Sequence, residues 1–354
     1  FVAPEAVMAY SCDGYNGMSQ CMHAFVREHI VRGAFKHKVR PVLLNSWEAA
    51  YFDINERKLL ALAKKAKEAG VELFVMDDGW FGERNDDFGG LGDWNVNEKK
   101  LPGGLAPLAE RIQGLGMKFG IWVEPEMVNE NSDLYRAHPD WAFQVPGRPV
   151  TRGRYQLVLD LTREEVKQYV LDNLRAMLRS APISYVKWDM NRSLTDVWSA
   201  GLPAQRQGEV YHRFVLAVYE ILEALHQEFP DLLIEGCSGG GGRFDCGMLY
   251  YTPQIWCSDN TDAMDRLRIQ YGTSFCYPCA SMGAHVSAVP NGLTHRSTPF
   301  HTRGVVAAAG TFGYELDLNE LSQEELAQVR EQIAAFRTDW ELVMRGDYYR
   351  LSDP

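Results

Sequence analysis

No run of lysine or arginine in this chain of 354 residues exceeds two, and 36 Lys plus Arg face 47 Asp plus Glu, a formal net charge of −11. Nucleic-acid binding needs clustered basic charge, so that class of function is set aside first. Long apolar runs are missing too. The most apolar stretch, 304–313, falls far short of the roughly 20 residues of a membrane-spanning helix, and no membrane partner is expected. Cysteine is scarce and odd in number: seven residues, of which Cys276 and Cys279 form a C-x-x-C with no second pair at zinc-ribbon spacing. Neither a disulfide framework nor a zinc site is expected, and free thiols point to a reducing compartment, the cytoplasm. The remainder is ordinary globular sequence, 46% apolar and 12% aromatic. Because the chain begins at Phe1 rather than Met, it reads as an excerpt of a longer protein.

Short apolar runs alternate with helical patterns. Strands are expected at 42–47, 73–78, 118–123, 185–190, 232–236, 254–258, 280–285 and 311–315, several of them apolar on both faces as parallel strands are. Between them, 55–70 reads as a helix ending on Gly70. Thr162 with Glu165, and Ser322 with Glu325, read as capping boxes. Eight strands alternating with helices predict an α/β fold, the (β/α)8 TIM barrel. The chain divides into an N-terminal helical lead-in (1–40), the barrel (41–340) and an exit segment (341–354). Two long connections, 79–117 and 124–184, extend the face where barrel active sites lie, and Trp80, Trp94, Trp141 and Arg154 are candidates to line a pocket there.

Acids recur at the carboxyl ends of five predicted strands: Asp77 and Asp78, Glu124 and Glu126, Asp189, Glu235, and Asp259. A single such acid is more simply a solvated residue or a helix cap, as Asp262 is expected to be. Five of one sign, interleaved with Trp122, Trp188 and Trp256, describe an acidic pocket with aromatic walls. Carboxylates accept from hydroxyls and rings cover apolar sugar faces, so the pocket suits a neutral, hydroxyl-rich ligand. Alternation places Lys187, Asp189 and Asn191 on one side of a strand, where the lysine would hold Asp189 ionised as a nucleophile requires. Asp259, close to Trp256, is the candidate general acid; two carboxylates with opposed environments are what glycosidic cleavage uses. The glycine run 239–242 follows a strand as in a dinucleotide fold. It lacks a Lys-Ser/Thr and room for a crossover helix, and is read as a close backbone approach to a ligand. Two rivals stay open at this point: a barrel with Asp78, Glu124 and Asp189 as Mg²⁺ ligands, and a sugar-binding barrel without catalysis.

The segments Met76-Asp77-Asp78-Gly79-Trp80-Phe81-Gly82, Trp122-Val123-Glu124-Pro125-Glu126-Met127-Val128, Lys187-Trp188-Asp189-Met190-Asn191-Arg192, Cys237-Ser238-Gly239-Gly240-Gly241-Gly242-Arg243 and Ser258-Asp259-Asn260-Thr261-Asp262 together resemble glycoside hydrolase family 36, the bacterial α-galactosidases. The resemblance runs through nearly the whole chain. It implies a retaining double displacement with Asp189 as nucleophile and Asp259 as acid/base, and no cofactor or metal. It further implies that Asp77 and Asp78 hold the 4- and 6-hydroxyls of galactose, with Trp47, Trp122, Arg154, Lys187, Asn191, Cys237 and Gly239 completing the pocket. Substrates in such a family are terminal α-galactosides such as melibiose, raffinose and stachyose, and its bacterial enzymes are often tetramers. Family members usually carry a β-rich domain before the barrel and a small β domain after it, which supports the excerpt reading. Two neighbouring activities, an α-N-acetylgalactosaminidase and a galactosyl transferase of the raffinose-synthase type, are the closest alternatives.

Overall fold

All eight apolar runs form strands, and a second kind of strand appears where none was expected. The computed structural model describes residues 6–352; the first five residues of the predicted lead-in and the last two of the exit segment lie outside that range. The strands are β1 (Leu43–Asn45), β2 (Leu73–Met76), β3 (Lys118–Val123), β4 (Met127–Asn129), β5 (Gln156–Val158), β6 (Ile183–Trp188), β7 (Leu233–Gly236), β8 (Gln254–Trp256), β9 (Met282–Ser287) and β10 (Thr311–Glu315). Eight close into a barrel in the order β1-β10-β9-β8-β7-β6-β3-β2. Every barrel pair is parallel, and the seam closes with Leu43 opposite Gly313. The unexpected pair, β4 and β5, is an antiparallel hairpin inside the connection 124–184. Its three-residue strands are too short for a period to show.

Alternation along the strands sorts the barrel interior into layers. Leu43, Leu73, Val75, Tyr185 and Leu233 pack together at the end where the strands begin, and Phe35 from the lead-in joins them. Gly120 makes room for Tyr185, since a Cβ there would lie 2.8 Å from its ring. One step up, the same faces carry Asn45, Asp77, Lys187 and Glu235, so the core passes from apolar to charged as it nears the carboxyl ends.

Helices cover the outside. The helix Glu56–Ala69 starts at Asn55, whose side chain accepts from Lys58 N, and ends at Gly70 with φ 101, as its sequence requires. The helix Gln323–Arg345 has the full Ser322/Glu325 capping box. It buries Leu326, Val329, Ile333, Phe336, Trp340 and Met344, each worth roughly 1.5–3 kcal/mol. The expected box at Thr162 does not form: the helix Glu164–Ser180 begins after Arg163 with no side-chain cap, and Thr162 Oγ1 turns to Asp160. A buried Asp160 nearby competes for that hydroxyl more strongly than an exposed helix end. The helix Gly14–Phe25 docks on the strand-start side, where Ser19 Oγ donates to Phe275 O (2.9 Å) and His23 Nε2 bonds Ser274 O (2.7 Å). Among the described residues no helix is long and apolar enough to cross a membrane.

Candidate active site

At the carboxyl ends of the strands a cavity of about 270 Å³ opens. Trp47, Asp77, Asp78, Trp122, Arg154, Lys187, Asp189, Asn191 and Asp259 all line it, each delivered by a strand end or the loop beyond it. Cys237 and Gly239 stand just behind this wall. Gly239 N donates to Asp189 Oδ1 at 3.3 Å, and Cys237 is buried beside it, its thiol pushed well up by burial and by the charges of Asp189 and Asp259.

Lys187 does not pair with Asp189. Its Nζ lies 3.0 Å from Asp77 Oδ2, and both side chains are under a tenth exposed. Asn45 Nδ2 donates to the same Asp77 oxygen (2.6 Å). Desolvation works against the ammonium, but the carboxylates of Asp77, Glu315 and Asp189 outweigh it and hold Lys187 charged. Same-face spacing along one strand put Lys187 two residues from Asp189, but the shorter path runs across the barrel to β2. Asp189 is held by uncharged donors: Trp122 Nε1 (3.2 Å), Asn191 Nδ2 (2.7 Å), Met190 N (2.8 Å) and Gly239 N. They fix the carboxylate in one orientation, which a nucleophile needs more than it needs a neighbouring cation.

Asp78 receives a two-pronged bond from the buried Arg84, Nε to Oδ1 at 3.0 Å and Nη2 to Oδ2 at 2.8 Å. Burial nevertheless pushes the Asp78 carboxyl up to about 6, with Arg84 pulling it back. Behind Asn191 sits Glu124, fully buried, whose oxygens accept from Asn191 N (2.6 Å), Asn191 Nδ2 (3.1 Å) and Gln156 Nε2 (3.2 Å). Desolvation and the charge of Asp189 drive it up to about 8. A neutral Glu124 adds no second negative charge beside Asp189. Asp78 is thus held by Arg84, while Glu124 and Asp189 share the Nδ2 donor of Asn191. Among the described residues no group of three His, Cys, Asp or Glu side chains is placed to hold a metal.

Asp259 opens to water at the cavity mouth, yet its carboxyl titrates above the ordinary range. Desolvation by the surrounding walls and the charge of Asp189 raise it, while Lys187 and Arg154 restrain it. The glycine run explains how this residue is placed. Gly240 has φ +87, and a Cβ there would lie 2.7 Å from Ser258 Cα and 2.8 Å from Asp259 N. Gly240, like Gly241 against Cys257 O, therefore permits loop to pack on loop beneath Asp259. Asp262 caps the next helix as expected, accepting from Met264 N and Asp265 N.

Four expected aromatic walls are elsewhere. Trp80 and Trp94 pack with Phe81 in the loop layer. Trp141 stacks on His138. Trp188 points out of the barrel, the opposite parity to Lys187, and donates to Glu126 Oε1 (2.8 Å), which Arg243 clamps. Trp122 and Trp256 remain in the cavity wall.

Sequence reading missed Glu48 and Glu315, both in that wall. Glu48 accepts from Thr261 Oγ1 (2.6 Å) and Ala288 N (3.1 Å), tying the loop after β1 to the segment following Asp259 and to the end of β9. Burial, and then the charge of Glu315, lifts it to about 7. Glu315 lies 3.0 Å from the buried His285 Nδ1, and burial with the charges of Asp77 and Asp259 lifts it to about 7 against the pull of Lys187. Glu315 ends a strand, so the rule that found the other acids covered it. Glu48 sits in a short helical turn that no pattern marks.

A barrel whose carboxyl-end cavity joins two candidate catalytic carboxylates to a charged wall has the build of a glycoside hydrolase. The chain belongs to the melibiase family, whose model, described as Melibiase, matches residues 1–346. It is 54% identical over 354 residues to alpha-galactosidase AgaA of Geobacillus stearothermophilus, covering 100% of this chain and 49% of that protein. The bifunctional alpha-galactosidase/sucrose kinase AgaSK of Mediterraneibacter gnavus is 56% identical over the same length, 37% of its own. The crystal structure of the family 36 alpha-galactosidase AgaA superposes with a TM-score of 0.95 at 54% identity, over 96% of this chain and 48% of that one. The chain thus spans half or less of the length of these relatives.

Proposed function

We propose that the intact protein is a retaining α-galactosidase that removes terminal α-galactosyl residues from oligosaccharides such as melibiose, raffinose and stachyose. The observation that carries this reading is the convergence of Asp189, Asp259, Asp77 and Asp78 on one cavity. Asp189, its carboxylate oriented by Trp122, Asn191 and Gly239, attacks the anomeric carbon. Asp259, whose carboxyl the surrounding walls and the charge of Asp189 push upward, acts as the acid and donates to the departing oxygen. Once Asp189 is esterified its charge is gone, the upward push on Asp259 relaxes, and Asp259 takes a proton from water that releases galactose with its configuration retained. Asp77, positioned by Lys187 and Asn45, and Asp78, fixed by Arg84, take the 4- and 6-hydroxyls, while Trp47, Arg154, Asn191, Cys237 and Gly239 complete the pocket.

Relatives lend support: crystal structures of AgaA variants are described in complex with raffinose and with stachyose. We include in the proposal a division into lead-in (1–40), barrel (41–340) and exit segment (341–354), a homo-oligomeric, tetrameric assembly, and a cytoplasmic setting that suits seven free thiols. The deciding experiment compares turnover of 4-nitrophenyl α-galactoside with that of the α-N-acetylgalactosaminide. Cleavage of the first alone is expected, because Cys237 and Gly239 stand behind the wall beside Asp189. Cleavage of neither would overturn the reading.

A further inference from the structure

Two exposed aromatic rings stand beside the cavity and take no part in the chemistry above. Phe88, on the connection after β2, and Tyr155, at the edge of the β4–β5 hairpin, are 55% and 54% exposed, yet their ring centroids lie only 4.2 Å apart at 46°. Water does not favour leaving two large rings half bare, and contiguous exposed apolar surface marks a binding site. Their neighbours connect them to the cavity. Arg154, adjacent to Tyr155, lines the cavity and donates to Asp87, adjacent to Phe88, at 3.4 Å.

The base of the pair is built rather than loose. Buried Asn129 donates through Nδ2 to Tyr155 O (2.9 Å) and to Asp87 O (3.3 Å), so one side chain fastens both loops. Arg154 and Tyr155 are held at φ 49 and 62, a left-handed conformation that non-glycine residues enter at a cost of roughly 1 kcal/mol or more each. Backbone strain of this kind persists where the surroundings enforce it and clusters at ligand clamps.

We infer that Phe88 and Tyr155 form a stacking platform for the leaving-group sugars of an α-galactoside, the pyranose or furanose rings beyond the scissile bond. The inference rests on the α-galactosidase reading and extends it to the other side of the bond. The apolar C–H faces of a sugar lie on such rings while its hydroxyls stay in water, which favours a neutral oligosaccharide over a charged leaving group. Arg154, between platform and cavity, offers donors to a hydroxyl of the first leaving sugar.

The test uses the intact protein and two substrates that share the galactosyl group. Stachyose carries leaving sugars; α-galactosyl fluoride carries none. The ratio of kcat/KM for stachyose to that for the fluoride is expected to fall about three- to tenfold in Phe88→Ala, chiefly through KM. The same fall is expected in Tyr155→Gly, where glycine accepts the left-handed backbone and only the ring is lost. Phe88→Tyr keeps a ring and is expected to hold the wild-type ratio. An unchanged ratio in both ring-deleting variants overturns the platform, as does an equal loss in Phe88→Tyr. If wild type turned over neither substrate, the α-galactosidase reading itself would fall and the platform with it.

Discussion

Replacing Lys187 with methionine removes one charge and almost no volume from the centre of the barrel. Asp77 would then keep a buried carboxylate, 3% exposed, with Asn45 as its remaining polar side-chain partner. Breaking a buried ion pair on one side costs about 3–5 kcal/mol, mostly the penalty of the stranded charge. Unfolding entropy near 2.1 cal/mol/K per residue gives about 0.7 kcal/mol/K for 354 residues, so Tm should fall by about 4–7 °C. Scanning calorimetry of Lys187→Met, Asp77→Asn and the double variant closes a thermodynamic cycle. The double variant is expected to recover most of the loss, because it leaves no unpaired charge. Raising salt from 0.1 to about 1 M should change little, since a pair this buried is barely screened. Additive single-variant costs, or a Lys187→Met shift under about 1 °C, would refute a coupled, buried Lys187–Asp77 pair.

Arg84→Met should leave Asp78 protonated at neutral pH, because Arg84 is what holds its carboxyl near 6 against burial. The acidic limb of the kcat/KM profile on an α-galactoside is then expected to move to higher pH, with KM raised about tenfold; a pH profile on top of wild type would contradict the role given to Arg84. Glu315 titrates above its unfolded value of about 4.5, so the stability it contributes is complete below that pH and is lost as pH rises through about 7. Glu315→Gln should therefore flatten the fall in unfolding free energy between pH 5 and 8 by up to about 3 kcal/mol, measured by denaturant titration at each pH. A steeper fall in the variant than in wild type would reverse the sign of the argument.

Much of this was legible in the sequence because parallel strands buried on both faces are nearly continuous apolar runs. The expected ranges 118–123 and 311–315 match β3 and β10 to the residue, while β6 starts two residues before its expected place and β9 runs two residues past its expected end. The same topology explains why a list of strand-end acids found Asp77, Asp78, Asp189 and Asp259 together: a barrel gathers its carboxyl ends whatever their separation in sequence. What spacing along one strand cannot report is contact across the barrel. The pattern therefore pairs Lys187 with Asp189, two residues on, whereas its contact is Asp77. Parity decided the aromatics: Trp188 is one residue from Lys187 and so faces away. Glu48, Tyr51 and Leu293 reach the cavity from turns and loops whose paths are set by tertiary packing, and no local pattern marks them.

The retaining mechanism requires Asp189 as the nucleophile. Asp189→Ala, assayed on 4-nitrophenyl α-galactoside with and without azide, tests that directly, with the product configuration read by NMR. The expected result is loss of hydrolysis and its rescue by azide to give β-galactosyl azide, since the anion occupies the face the carboxylate has vacated. Near-normal hydrolysis without azide, or an α-configured azide product, would contradict it.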